Sequence, residues 1–325
     1  MKAIVQDVYG SPGALRYDEV EMPVIGVEDV LVRVRAAGVA PGVSHLMTGR
    51  PYLMRLMGTG VRYPKVRVRG RALAGVVQAV GCAVTRFRPG MEVYGVTRLG
   101  SFAEYAVARE GELARKPRNL SFEQAAAVPV SGTTALQGLR DVGHVQPGQQ
   151  VLIIGAAGGV GCFAVQLART FGAHVTGVCS TAEADLVRSL GAEDIIDYTR
   201  EDVDVRGPKF DLILDTAGRR PLSVLRRALT AHGTLAIVGG EGGDRWLGGF
   251  DRQVLRAPLE SALSGQRLRA VVAKDRADDL LYLAELIEDG ELTPVINRTY
   301  VLRDAPDAIR YLAQGHRAGK IVVTV

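Results

Sequence analysis

The chain has 325 residues, 47% apolar and 23% charged, enough for two globular domains that each bury a core. No apolar run reaches the roughly 18 residues of a bilayer span. The opening MKAIVQDVYG lacks the features of a signal peptide, so a cytoplasmic protein without a membrane partner is expected. A net charge of +5 and a pI near 9.2 raise the question of nucleic acid, but 34 of the 40 cations are Arg scattered among 35 acids, and no nucleic-acid partner is expected.

The first hundred or so residues read as short strands and turns. MKAIVQDVY, DVLVRVRAAGV with Val30, Val32 and Val34 in alternation, and ALAGVVQAVG are strand-like. Ser11-Pro12-Gly13, Arg88-Pro89-Gly90 and Gly100 mark turns, so a compact β-barrel-like domain is predicted. Between Arg50 and Arg71 stand seven cations (Arg50, Arg55, Arg62, Lys65, Arg67, Arg69, Arg71) and no acid. Its 50–66 part, with Met54, Met57, Gly58 and Gly60, reads either as a substrate-covering loop or as an insertion with a solvated basic face.

The character changes near Asn119. Ser121 is a predicted N-cap with Gln124 as its capping-box partner, and helical period continues through AAAVPV into TTALQGLRDVG. From Gln150 strands and helices alternate: VLIIG, a helix over CFAVQLARTFG ending at Gly172, HVTGVCS, a helix over LVRSLGA ending at Gly191, then DIIDY, FDLILDTAG, TLAIVGG and a sixth candidate at 268–273. Apolar strands alternating with amphipathic helices predict a doubly wound parallel sheet. A helix over DDLLYLAELIEDG ends at Gly290. The tail then returns to barrel-like writing in VINRTYVL, a helix from Ala305 to Gln314, and KIVVTV. The predicted fold class is therefore α/β: a Rossmann domain over 119–274, and a barrel domain over 1–118 completed by 275–325. Cys82, Cys162 and Cys179 are too few and too far apart for a disulfide framework or metal cluster, and all three are expected to be packed thiols.

The sharpest chemical signal is Gly155-Ala156-Ala157-Gly158-Gly159-Val160-Gly161, which follows an apolar strand and opens a helix. That context fits a dinucleotide fingerprint, although Ala156 stands where the usual pattern has glycine. Gly158 would let the backbone approach a pyrophosphate, Gly161 would let the helix pack on the strand, and the helix start would offer N–H groups. The second strand ends Val178-Cys179-Ser180-Thr181, with no carboxylate before Glu183. Two hydroxyls in place of a ribose-binding acid favour NADP over NAD, although no Arg or Lys stands at 180–184.

These motifs, with VPVSGTTALQ before and IIDYTRED after, and with RPGMEVYG, GSFAEYAV and GKIVVTV along the chain, resemble the medium-chain dehydrogenase/reductase superfamily. More narrowly they resemble its quinone oxidoreductase (zeta-crystallin-like) branch. The resemblance implies a GroES-like barrel domain, a Rossmann domain, a cleft at their junction and an oxidoreductase acting on a small carbonyl or quinone substrate; a homodimer is expected. By position, Thr134 resembles the residue that contacts the nicotinamide, and Ser180 and Tyr198 resemble residues that hold the adenosine phosphate. Ala156, Gly158, Gly159 and Val160 form the pyrophosphate turn. Gly239 and Gly240 resemble the turn beneath the nicotinamide ribose, and Lys320 lies where the tail approaches the cofactor. Tyr198 reads equally as a sheet-edge aromatic.

The positions that supply zinc ligands in metal-dependent relatives are Ala40, Arg71, Ala72 and Val130 here, none of which can ligate zinc, so a zinc-independent enzyme is expected. The branch usually has an Asn at the position of Ala40 and an acid near Ala72, so this pocket has lost two polar groups. Ser44, His45, Tyr52 and Arg71 remain as catalytic candidates, with packed or surface roles as their alternatives. An NADPH-dependent reductase of quinones or α,β-unsaturated carbonyls is the leading expectation. A dinucleotide-binding structural or redox-sensing protein with little turnover is the alternative, and an RNA-binding role of the basic segment is a weaker one.

Overall fold

A computed structural model describes residues 1–201, 203, 207, 209–239, 246, 248–249, 256–262, 264–315 and 318–325. The chain forms two compact units, Met1–Thr133 with Lys274–Val325, and Thr134–Ala273.

In the first unit, β1 (Lys2–Val5) pairs antiparallel with β2 (Arg16–Glu19). A larger sheet is centred on β3 (Asp29–Val39), β4 (Ala72–Val80), β5 (Glu92–Val96), β6 (Tyr105–Arg109) and β7 (Leu113–Arg115). The alternation seen in β3 is an inside–outside pattern: Val30, Val32 and Val34 are buried while Arg33 and Arg35 are exposed. Between β3 and β4 lies a helix that strand-like reading did not anticipate, α1 (Pro41–Thr48), with Pro at its first position. Helix α2 (Phe122–Gln137) starts as predicted: Gln124 N–H donates to Ser121 Oγ at 3.2 Å, and Ser121 N–H to Gln124 Oε1 at 3.0 Å.

The chain leaves the first unit inside α2 rather than at residue 118. The reason is packing: a Cβ on Gly38 of β3 would lie 2.5 Å from the carbonyl oxygen of Ala126, so the start of α2 sits directly on the barrel strand.

The second unit is a six-stranded parallel sheet. Its elements are β8 (Gln150–Ile154), α3 (Gly161–Thr170), β9 (His174–Cys179), α4 (Ala184–Ser189), β10 (Asp194–Asp197), β11 (Phe210–Asp215), α5 (Leu222–Ala228), β12 (Leu229–Ile237), α6 (Ala257–Ala262) and β13 (Arg267–Ala270). The strand order β10-β9-β8-β11-β12-β13 is that of a Rossmann sheet, with the reversal of direction at β8 and β11. Val151 to Ile154 are all buried because β8 has a strand on either side and helices over its faces.

Back in the first unit, α7 (Ala277–Glu288), β14 (Ile296–Val301), α8 (Ala305–Ala313) and β15 (Lys320–Thr324) complete the chain. β15 pairs antiparallel with β3, Ile321 opposite Val39, which explains the return of barrel-like sequence at the end. Of the cysteines, Cys162 and Cys179 are packed as expected, but Cys82 is exposed, because it lies in the turn after β4 rather than in a strand.

Candidate functional site

The glycine turn lies at the carboxyl end of β8. Gly155 N–H and Ala156 N–H both donate to the Val178 carbonyl, at 3.1 and 3.0 Å, which fixes the turn to β9. Ala156 is buried, while Gly158, Gly159 and Val160 are partly open. The two key glycines do different work. A Cβ on Gly161 would fall 2.1 Å from the Gly155 carbonyl oxygen and 2.7 Å from the backbone of Ala156. The close approach that requires glycine at 161 is therefore to the turn itself, not to the strand as sequence reasoning had it. A Cβ on Gly158 would meet only the Gly155 oxygen, at 3.2 Å, and otherwise enter open space. Val160 is the N-cap residue of α3 and provides no side-chain cap, so the helix start keeps N–H donors for a ligand. That open cradle fits a pyrophosphate.

At the end of β9 the register pairs Cys179 with Asp197, and so brings Tyr198 beside Ser180. Their side chains are hydrogen-bonded, Arg219 adds positive charge near the Tyr198 phenol, and Tyr198 is 38% exposed. The hydroxyls read as phosphate acceptors are, however, occupied. Glu183 folds back as a capping box, accepting from Ser180 Oγ at 2.8 Å and Ser180 N–H at 3.1 Å. Thr181 donates to Asp197, which also accepts from Thr199 Oγ1 at 2.6 Å. The Thr181 and Thr199 hydroxyls hold the Asp197 carboxyl below the usual carboxylate range.

Thr134 is half-buried in α2. Gly239 is buried after β12, its N–H on the Asp215 carbonyl at 3.1 Å; Gly240 lies outside the described residues. Lys320 is buried in β15, with Nζ donating to the Val39 carbonyl at 3.1 Å.

The first unit contains a cavity of about 440 Å³. Its wall includes Ala40, Arg71, Ala72 and Val130, so positions from three separate stretches of sequence converge, and with them come Arg69, Lys65, Thr97 and Arg98. Arg71 is ion-paired with Asp275, and Arg98 Nε lies 2.6 Å from Glu112 Oε1.

Of the four catalytic candidates, Arg71 lines this cavity; Ser44, His45 and Tyr52 do not. His45 Nδ1 is 3.0 Å from the Arg50 carbonyl oxygen and so carries the proton in that contact. Tyr52 stacks under the Arg55 guanidinium at 4.9 Å, and the same guanidinium covers Tyr9 at 4.1 Å and donates to the Gly49 carbonyl at 2.9 Å. In the 50–66 segment, Met54 and Gly58 line the cavity, whereas Met57 points to solvent with 68% exposure.

The acid-free basic run is not one cationic face. Arg55 binds carbonyls and rings, Arg67 Nε lies 2.7 Å from Asp7, Arg71 is paired with Asp275, and Arg69 is buried. Sequence reasoning missed Arg69. The run without acids was its only signal, and that run does not say which cation folds inward. The inward turn is decided by long-range backbone pairing, with Arg69 N–H donating to Ile4 and Phe102 N–H donating to Arg69.

Comparison with known proteins agrees with this fold. The alcohol dehydrogenase GroES-like domain family matches residues 26–118, and the zinc-binding dehydrogenase family matches 190–323. The chain is 33% identical over 354 residues to the mitochondrial NAD(P)H oxidoreductase RTN4IP1 of Bos taurus, covering 100% of this chain and 89% of the bovine protein. It is 32% identical over 337 residues to the chloroplastic NADPH-dependent alkenal/one oxidoreductase of Arabidopsis thaliana, covering 99% of this chain and 79% of the other. The quinone oxidoreductase of Coxiella burnetii superposes with a TM-score of 0.86 at 27% identity, over 100% and 99% of the two chains.

A parallel Rossmann sheet with a glycine turn, joined in one chain to a GroES-like domain, defines an oxidoreductase that uses a nicotinamide cofactor. The chain belongs to the medium-chain dehydrogenase/reductase superfamily, in its quinone oxidoreductase branch. Among the described residues no helix is long and apolar enough to cross a membrane.

Proposed function

We propose that the protein is a zinc-independent, NADPH-dependent reductase of α,β-unsaturated carbonyl compounds or quinones. The observation that carries this reading is the composition of the cavity wall. Ala40, Arg71, Ala72 and Val130 converge there, and none has a side chain that offers a lone pair to a divalent cation at neutral pH. Among the described residues no three His, Cys, Asp or Glu side chains form a group suited to a metal.

The glycine turn, with Gly158 and the start of α3, would hold the pyrophosphate, and Ser180, Tyr198 and Arg219 the adenosine end. When bound, the reduced nicotinamide supplies a hydride. With an enone bound, hydride arriving at the β-carbon would push negative charge onto the carbonyl oxygen, and the α-carbon would then take a proton from solvent. The protein's part is to orient the substrate against apolar walls and to stabilise the negative charge gathering on that oxygen. Arg71 is the candidate for stabilising that charge, because its guanidinium is held by Asp275 on the cavity wall and keeps further N–H donors.

One observation favours NADH as the alternative cofactor. The Glu183 carboxylate on Ser180 would accept from a ribose 2′-hydroxyl, whereas a 2′-phosphate must displace it.

The test is a purified preparation treated with chelator and assayed for NADPH and NADH oxidation with a panel of quinones and enones. Undiminished turnover of at least one substrate, with no stoichiometric zinc by elemental analysis, is the expected result. Activity that disappears with the metal and returns with added zinc would defeat the proposal.

A further inference from the structure

Arg69 is 4% exposed, yet its charge has no counterion among the described residues. Its Nη1 reaches the Leu46 carbonyl at 3.3 Å, and its Nε and Nη2 have no hydrogen-bond partner. Burial lowers its pKa to about 10, which still leaves the guanidinium cationic at neutral pH. Buried charges are ordinarily paired, because desolvation without a partner is costly. The other unpartnered buried side-chain atoms among the described residues, Gln6 Oε1 and Ser101 Oγ, are neutral and carry no charge to match it. Water does not neutralise Arg69.

The surroundings of this charge point the same way. Arg69 lines the 440 Å³ cavity together with Lys65, Arg71 and Arg98, and among the described residues no Asp or Glu lines it. Asp275 and Glu112 engage Arg71 and Arg98 from outside that wall, which leaves Arg69 as the buried positive charge still to be matched. Much of the remaining wall is apolar, from Val43, Leu46, Met54, Val66, Val68 and Val130. A cavity with one buried cation and apolar sides suits an amphiphilic anion. A guanidinium whose Nε and Nη2 are buried and unpartnered favours an anion beside it over any neutral group.

We propose that Arg69 is a specificity-determining residue that selects unsaturated carbonyl substrates bearing a carboxylate, with the carboxylate on Arg69 and the alkyl body against the apolar wall. This rests on the reductase reading above, applied to the same cavity.

The test compares (E)-4-oxonon-2-enoic acid with its methyl ester as substrates of the intact enzyme with NADPH. The acid should exceed the ester in kcat/KM by at least about tenfold, or roughly 1.4 kcal/mol. R69M should bring that ratio close to one and R69K should restore part of it. A ratio between two substrates on one preparation does not respond to a general loss of folded enzyme. A second arm needs no turnover: the saturated 4-oxononanoic acid and its methyl ester are titrated calorimetrically into the unmodified protein and R69M. Preferential binding of the acid without turnover of either enone would retain the anion-binding cavity and overturn the reductase reading. An ester bound or reduced as well as the acid by the unmodified protein would overturn the proposal, whether or not the variants fold. Persistence of the acid's preference in R69M would overturn it equally.

Discussion

The glycine turn of the second unit and the cavity of the first are built in opposite ways. The turn is made of backbone: seven consecutive residues whose spacing is dictated by where a Cβ cannot be tolerated. The cavity is made of residues drawn from positions between Gly38 and Val130, and among the described residues of its wall only Arg69 carries a buried uncompensated charge. A backbone site is robust to most substitutions except at its glycines. A side-chain site tolerates change at many positions and is retuned by a single charge. Substitutions in the two regions should therefore separate folding, cofactor affinity and substrate handling.

The sharpest test within the turn contrasts its two glycines. G161V places carbon within 2.1 Å of the Gly155 oxygen, so the turn must deform. A stability loss of about 3 kcal/mol is expected from such overpacking, seen as a lowered Tm and denaturation midpoint. G158V meets only one atom, at 3.2 Å, before entering the cradle. Its folding should be nearly normal, while NADPH affinity falls about 100-fold, or roughly 2.7 kcal/mol. Normal NADPH binding by G158V would show that the cradle lies elsewhere.

In the cavity the signs should reverse. R71M removes a guanidinium from the wall without touching the glycine turn. Turnover of an enone should fall about tenfold, close to 1.4 kcal/mol, with NADPH affinity measured by titration unchanged. A shift in dinucleotide affinity instead would erase the distinction between the two regions.

The smallest effect is expected at the adenosine end. E183Q keeps the cap geometry on Ser180 but removes the carboxylate charge, so the preference for NADPH over NADH should rise about fivefold, or roughly 1 kcal/mol at this partly buried site. The ratio of the two dissociation constants measures it, and a fall in that ratio would show that Glu183 does not face the ribose.

Much of the fold was legible in the sequence for local reasons. β3 follows from the alternation of Val30, Val32 and Val34 in its middle, the start of α2 from the Ser121–Gln124 pair, and the parallel sheet from apolar strands such as Val151–Ile154. Helix α1 was not legible, because its eight residues lie between strands with no acidic first turn to announce it. The candidate site divided along the same line. Ala156, Gly158, Gly159 and Val160 could be nominated together because a turn's requirements are satisfied by neighbours in sequence. Ser44, His45 and Tyr52 were chosen by residue type, and the structure places none of them on the cavity wall.

By itself the sequence determined the periodicities, the caps and the glycine turn, since each depends on residues within a few positions of one another and on hard-sphere geometry. Only the tertiary structure decided which cation of the Arg50–Arg71 run is buried and which carboxylate reaches Ser180. Burial of Arg69 depends on backbone hydrogen bonds with Ile4 and Phe102, far away in the chain. Charge, unlike a backbone clash, acquires its meaning from what surrounds it in space.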